Sequence, residues 1–146
     1  MKNNKITAVY ARTSSEKQEY QYQIEAARPY LNGIPVESVQ IFIDAGFSGS
    51  SKPPQQQKLI ELIRKNLVDT LIIYDRSRLT NNLDTYLELV NLIHRHKIKV
   101  IFTATALEEH RLGDMYTEGI RLLFMKIEGI MLSNRLKDVK KYNRKN

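Results

Sequence analysis

The sequence contains no cysteine among its 146 residues. The chain therefore cannot form disulfides or bind metals through thiolates, and such composition is typical of a reducing compartment. No apolar run approaches the roughly 20 residues of a membrane-spanning helix. The N-terminal stretch MKNNKITAVYA also lacks the apolar core of a signal peptide. We expect a cytoplasmic protein with no membrane partner, short enough to fold around one main core.

Signatures of nucleotide and metal binding are missing as well. The sequence has no GxGxxG or GxxxxGK[ST] loop, which argues against nucleotide binding by those routes. Its three histidines, His94, His96 and His110, are not spaced as a set of metal ligands. No nucleophile elbow supports a Ser-His-Asp triad. We expect neither a metal ion nor a small-molecule cofactor.

Positive charge is concentrated at one end of the chain. The net charge is +7, yet residues 1–120 carry 15 basic and 14 acidic side chains, whereas residues 121–146 carry 8 and 2. A basic segment attached to a nearly neutral body suggests a polyanionic partner, most simply DNA. The alternative is a solvated tail that only keeps the protein in solution.

Hydrophobic patterning predicts an α/β protein. Apolar runs that resemble strands alternate with amphipathic stretches, which predicts an open, mostly parallel sheet of four to five strands with helices on both faces. The predicted strands are 5–11, 36–43, 69–74 and 99–104.

Helical spacing predicts the segments between the strands. Leu83, Leu87, Val90 and His94 recur at helical spacing and suggest one buried stripe. Pro29 should kink the first helix or end it early. The proline-free segment after Met115 should form one long helix that leaves the body. We divide the chain into an α/β domain, 1–112, and this helical segment, 113–146.

Polar and basic residues follow the predicted strands. Arg12-Thr13-Ser14-Ser15 comes after the first strand, the glycine- and serine-rich loop 44–57 after the second, and Asp75-Arg76-Ser77-Arg78 after the third. In open α/β sheets, ligands bind beyond the carboxyl ends of the strands. A serine among arginines suggests phosphoryl transfer, in which a hydroxyl attacks phosphorus and guanidinium groups stabilise the transition state.

Four stretches resemble the serine recombinases, the family of resolvases, invertases and integrases. They are YARTSSEKQEYQYQ (10–23), DAGFSG (44–49), VDTLIIYDRSRLTNN (68–82) and KIEGIMLSNRLK (126–137), in the family's order. The resemblance implies a bacterial or phage-encoded catalytic domain that cleaves and rejoins DNA through a 5′-phosphoserine. It also implies a homodimer that becomes a tetramer in the synaptic complex. The family has a separate DNA-recognition region after the long helix. We expect either that it follows Asn146 in a longer protein or that it is absent.

The resemblance also implies roles for individual residues. Ser14 would be the nucleophile, with Ser15 as its rival, and Arg12 would bind the phosphate. Gln18 and Gln23 would supply amides near the scissile phosphate. Ser77, Arg78 and Asn81 would fill the family's Asp-Arg-Leu-Ser/Thr-Arg turn, with serine and asparagine in place of aspartate and the second arginine. A rival alignment uses Asp75 and Arg76 instead.

Eight basic residues are predicted to contact DNA. They are Lys52, Arg76, Arg121, Arg135, Lys137, Lys140, Lys141 and Arg144. Lys52 stands where the family usually has arginine, so it keeps the charge but loses the bidentate fork. The altered turn leaves a non-enzymatic alternative, a recombinase-like module that binds DNA or a partner. A flavodoxin-like receiver domain is a second alternative, but it would place acidic residues at the strand ends.

Overall fold

The computed structural model describes residues 4–14, 20–47, 52–80, 82–104 and 112–145. These ranges contain four strands and four α-helices that alternate up to the last strand. The strands are β1 (Ile6–Thr13), β2 (Val39–Ala45), β3 (Val68–Ile73) and β4 (Lys99–Phe102). The helices are α1 (Gln21–Ala27), α2 (Pro54–Arg64), α3 (Leu83–Arg95) and α4 (Met115–Lys145).

All four strands are parallel and form one sheet in the order β2-β1-β3-β4. The two central strands are the most apolar, because both of their faces are covered. The predicted fold class, an open parallel α/β sheet followed by one long helix, is confirmed.

Alternating side chains divide the core between the two faces of the sheet. Tyr10, Ile73 and Phe102 point to one face and pack with residues of α2 and α3 in the larger cluster. Val9, Ile72 and Ile101 point to the other face, where a smaller cluster includes Ala27 of α1. This arrangement follows from the period of two in a strand.

Helix α3 buries a different stripe from the one predicted. Its buried residues are Tyr86, Leu89, Val90 and Ile93. His94, which the predicted stripe included, is exposed, and its Nε2 lies 2.7 Å from the carbonyl oxygen of Gly113. The spacing identified the helix correctly but placed its buried face about one residue out of register.

The ends of the helices follow local chemistry. Helix α1 stops at Ala27, and a 3₁₀ segment, Arg28–Leu31, takes in Pro29, as predicted. Helices α2 and α3 are each followed, two positions after their last residue, by a residue at positive φ, Asn66 and Lys97. In both cases the amide of the next residue bonds a carbonyl five residues back, which is a Schellman motif.

Within the described residues, helix α4 is anchored to the body through its first turns. Glu118 and Leu122 are buried, and Leu122 joins the larger core cluster. From Leu123 to Arg144, the described side chains of α4 are exposed. Among the helices in the described ranges, none has the length and apolar composition needed to span a bilayer. Because the described side chains from Leu123 onward are exposed, the long helix projects from the body, as expected.

This docking predicts a difference between two adjacent leucines. Leu122→Ala should lower the free energy of unfolding by about 2–4 kcal/mol, because it removes a buried side chain. Leu123→Ala, at a position 44% exposed, should change it by only about 0.5 kcal/mol. Urea denaturation of both variants would measure the difference. Equal losses would contradict the described packing of α4.

Candidate active site

The carboxyl ends of β1, β2 and β3 form the rim where the sequence placed the chemistry. Ser14 follows β1 and is exposed. The segment after β2 folds over the end of β1, because the amides of Gly46 and Phe47 both donate to the carbonyl of Thr13 at 3.0 Å. A 3₁₀ turn, Arg76–Arg78, follows β3. Ser14 therefore stands beside two other strand ends. Gln18, Asn81 and the rival nucleophile Ser15 lie outside the described residues.

The Arg12 guanidinium is buried beneath this rim, with the residue only 5% exposed. Its Nε donates to the Arg78 carbonyl at 3.1 Å and its Nη2 to the Ser77 carbonyl at 2.6 Å. Its Nη1 donates to the Phe47 carbonyl at 2.8 Å. Burial lowers the pKa of Arg12, although the Coulomb attraction of Asp44 and Asp75 opposes the shift. The prediction that Arg12 faces a phosphate does not match this conformation, in which Arg12 ties three segments together.

Gln23 is also turned inward. It is 2% exposed, its Nε2 donates to the Arg12 carbonyl at 3.2 Å, and its Oε1 accepts from the Arg12 amide at 3.3 Å. This reciprocal pair gives the amide and the carbonyl of Arg12 a side-chain partner at the buried end of β1. The predicted contact with the scissile phosphate is thus replaced by a contact with the backbone of β1.

Arg78 is the predicted site arginine that reaches the rim. Its side chain is 27% exposed. Nη2 donates to the Tyr22 hydroxyl at 2.9 Å and Nη1 to the Arg12 carbonyl at 3.3 Å. The Tyr22 ring makes an edge contact with Tyr74 at 5.0 Å between centroids. Within the described residues, the Nε of Arg78 has no hydrogen-bond partner. These contacts hold the Arg78 side chain in position while part of it stays exposed.

Asp75 supplies a carboxylate beside Arg78. Its Oδ1 accepts a hydrogen bond from the Ser77 hydroxyl at 2.5 Å and lies 3.9 Å from the Arg78 Nε. Ser77 is predicted to take the place of the family's aspartate. Its hydroxyl binds the carboxylate of Asp75, so an acidic group lies next to that position. The sequence offered Asp75 only as part of the rival alignment.

Asp44 anchors the loop between β2 and α2, a role that its sequence motif did not reveal. The carboxylate is 1% exposed. It accepts from the Tyr10 hydroxyl at 2.8 Å and from the amides of Gln55 and Gln56 at 3.0 and 2.9 Å. Burial, and then the bond to Asp44, raises the pKa of Tyr10. One buried carboxylate thus joins the end of β2 to β1 and to the first turn of α2.

Arg76 does not lie on the surface, which corrects its predicted contact with DNA. The residue is 3% exposed, and its Nε and Nη2 donate to the two carboxylate oxygens of Glu118 at 2.5 and 3.1 Å. Its Cζ lies 4.3 Å from the centroid of the Phe102 ring, within the range of a cation–π contact. In this conformation Arg76 is buried and Arg78 reaches the rim. The alignment that uses Ser77 and Arg78 stays a prediction.

The other predicted DNA contacts are accessible to different degrees. Lys52 is exposed just before α2. The Arg121 side chain is 31% exposed and pairs with Glu118 at 3.0 Å. The remaining predicted contacts lie farther along α4 and are all exposed: Arg135, Lys137, Lys140, Lys141 and Arg144. Across the described ranges, acidic and histidine side chains form no group of three able to hold a metal ion.

Comparison with known proteins agrees with this geometry. The family model described as "Resolvase, N terminal domain" matches residues 7–146. The catalytic domain of TP901-1 integrase is 25% identical with a TM-score of 0.58, covering 88% of this chain and 99% of that one. No curated protein sequence matches significantly.

Two further solved structures share the fold. The catalytic domain of ISC1926 TnpA, an IS607-like serine recombinase, is 20% identical with a TM-score of 0.56, covering 87% of this chain and 81% of its own. A resolvase family recombinase from Streptococcus pneumoniae is 19% identical with a TM-score of 0.55, covering 95% and 99%.

The fold and the rim define a parallel α/β domain with a serine and an arginine at the carboxyl edge of its sheet. The chain belongs to the resolvase family of serine recombinases and corresponds to the family's N-terminal, catalytic domain.

The buried carboxylate of Glu118 makes the stability of the domain depend on pH. Burial by itself raises the pKa of Glu118, but hydrogen bonds from Arg76, Tyr86 and the Gly113 amide outweigh it, so that the pKa lies below its ordinary value of 4.5. The ionised carboxylate therefore stabilises the fold above the unfolded pKa. This contribution is lost as the pH falls through the folded pKa.

We expect wild type and Glu118→Gln to differ most in free energy of unfolding near pH 7, where the carboxylate is ionised. The difference should shrink below about pH 4.5, because a protonated Glu118 resembles glutamine. Urea titrations at several pH values would measure it. A difference that stays constant down to pH 3 would contradict the assigned pKa direction.

Proposed function

We propose that this domain cleaves and rejoins DNA by transesterification, with Ser14 as the nucleophile. The supporting observation is the exposed position of Ser14 at the end of β1, next to the turn that carries Arg78. A serine hydroxyl needs a nearby cation when it attacks a phosphodiester, since negative charge grows on the phosphoryl oxygens. Arg78 meets that need at the rim.

In the proposed reaction, the Ser14 Oγ attacks the phosphorus and the bond from phosphorus to the 3′ oxygen breaks. The product is a 5′-phosphoserine and a free 3′-hydroxyl. One proton leaves Ser14 and one joins the 3′ oxygen, so no net proton is released. One phosphodiester replaces another, so a second 3′-hydroxyl can reverse the step on a new strand without ATP or a metal ion.

Arg12 and Arg78 would then act in different ways. Arg78, whose side chain is 27% exposed, is suited to bind a phosphate oxygen directly through its guanidinium. Arg12 would support it from below by holding the carbonyls of Ser77 and Arg78. Arg78 would then be the main cation that binds the phosphate beside Ser14.

A non-enzymatic function is the alternative. One observation favours it, because Arg12 and Gln23 are both committed to backbone groups and turned away from solvent. In that case the domain would serve as a DNA-binding or partner-binding module. A covalent protein–DNA species separates the two functions, because only transesterification produces one.

The nucleophile can be tested in a protein that joins this domain to a sequence-specific DNA-binding domain. With a nicked target duplex and excess EDTA, wild type should form a covalent adduct at Ser14, because no metal ion takes part. Ser14→Ala should reduce adduct formation by at least about 10³-fold, as loss of a nucleophile does. Denaturing gels and peptide mapping would measure the adduct.

Ser15→Ala is the matched control and should form the adduct at a rate near that of wild type. Adduct formation by Ser14→Ala would reject Ser14 as the nucleophile. Absence of any adduct with wild type, despite DNA binding, would favour the binding-module function.

We further propose that α4 mediates a homodimer. Ile120, Phe124, Ile127 and Met131 lie on one side of the helix at 4-3-4 spacing and are 54–64% exposed. The docked residues Glu118 and Leu122 lie on the opposite side. An apolar stripe that faces away from its own domain can be covered by the same stripe of a second copy.

Phe124→Glu should therefore weaken self-association at least about tenfold, because it places a charge in the apolar stripe. Lys126→Glu, an exposed position outside the stripe, is the matched control. Sedimentation equilibrium would measure the dissociation constants. A monomer at every accessible concentration, or equal effects of both substitutions, would reject this stripe as the dimer contact.

A further inference from the structure

Glu118 connects the long helix to the rest of the domain through one carboxylate. The residue is completely buried, and its two oxygens accept five hydrogen bonds. The donors are Arg76 Nε at 2.5 Å, Arg76 Nη2 at 3.1 Å, the Tyr86 hydroxyl at 2.7 Å, the Gly113 amide at 3.1 Å and Arg121 Nη1 at 3.0 Å. Such a carboxylate is tolerated in the interior only because it is paired and bonded.

Arg76 belongs to the same turn that shapes the active site. The turn spans Arg76–Arg78, and the carbonyls of Ser77 and Arg78 accept the bonds from Arg12. The Arg76 side chain leaves the turn on the inner side and meets Glu118. A continuous set of bonds therefore runs from α4, through Arg76 and its turn, to Arg78 and Arg12.

The contact between Arg76 and Glu118 is directional. The guanidinium is held by two hydrogen bonds to the carboxylate and lies over the Phe102 ring at the end of β4. A bidentate pair fixes both the distance and the orientation of the two groups, whereas apolar packing fixes neither to the same degree. Among the described residues, the turn has two internal backbone bonds, from Arg78 N to Asp75 O at 3.2 Å and from Leu79 N to Arg76 O at 3.1 Å.

We propose that Glu118 is a positioning residue, which acts through Arg76 to hold the Arg76–Arg78 turn in the orientation that presents Arg78 to the phosphate. The role given to Arg78 rests on the proposed function. The link from Glu118 through Arg76 to the turn does not, because it consists of contacts within the domain. Helix α4 then sets the geometry of the rim from a residue that touches neither DNA nor Ser14.

The decisive variant replaces both charges, Arg76→Met with Glu118→Leu. Glu118→Leu also removes the acceptor of the Tyr86 hydroxyl and of the Gly113 amide, which should lower the urea midpoint. A buried ion pair can often be exchanged for apolar residues without loss of folding, so this variant should still fold. Its turn should nevertheless become mobile, and the amides of Arg78 and Leu79 should exchange hydrogen at least about tenfold faster. NMR can measure the hydrogen-exchange rates of these two amides on the 146-residue chain, without any DNA.

The second measurement is the rate of adduct formation on pre-bound nicked DNA, in the tethered protein used for Ser14. We expect the double variant to react at least about tenfold more slowly with an unchanged dissociation constant, since misplacement of a transition-state contact affects the rate constant and not the affinity. Arg76→Lys keeps the charge but loses the planar guanidinium. Its rate of adduct formation should lie between those of wild type and the double variant.

His94→Gln is the matched control. His94 also holds the segment that leads into α4, through the Gly113 carbonyl at 2.7 Å, but it does not touch the turn. Its exchange and adduct rates should equal those of wild type. Should the double variant fold but show wild-type exchange at Arg78 and Leu79, the positioning role is wrong.

The two failures can be told apart. If wild type forms no adduct, the proposed function fails, while the exchange rates still decide whether Glu118 holds the turn. If the double variant has a mobile turn but forms the adduct as fast as wild type, the link exists mechanically but does not position Arg78, and the inference is rejected.

Discussion

The buried guanidinium of Arg12 is the interaction on which the rim depends. It comes from the central strand β1 and binds the carbonyls of Phe47, Ser77 and Arg78, which belong to the ends of two neighbouring strands. Guanidinium is the side chain best able to do this, because it offers five donors in a rigid plane and stays charged when buried. Removal of Arg12 would leave three carbonyls without their donor. The serine, the turn and the loop would lose their common support.

Much of this fold was predictable because its determinants are local. The apolar runs that became β1 and β3 are buried on both faces, and Pro29 ends α1 by its own geometry. The position of the rim was also predictable, since parallel strands place their carboxyl ends at one edge. The stripe on α3 was misplaced because Leu87 and His94 lie at the border of the buried face, where tertiary packing decides.

The direction of each site side chain was not predictable in the same way. Arg76 and Arg78 are two residues apart in a 3₁₀ turn, where successive residues rotate by about 120°, so one can point inward while the other reaches the rim. Which one turns inward depends on Glu118, 42 residues farther along the chain. The inward orientation of Gln23 likewise depends on the backbone of β1. Such partners are fixed by the tertiary fold and leave no spacing in the sequence.

The length of α4 has a geometric consequence for the exposed part of the helix. At 1.5 Å per residue, the stretch from Leu123 to Arg144 is about 30 Å long, close to the 34–36 Å of one turn of B-form DNA. The first basic group of α4, Arg121, and the last of its exposed cations, Arg144, are thus separated by nearly one duplex repeat. A helix of that length can therefore reach two successive turns of a double helix along its axis.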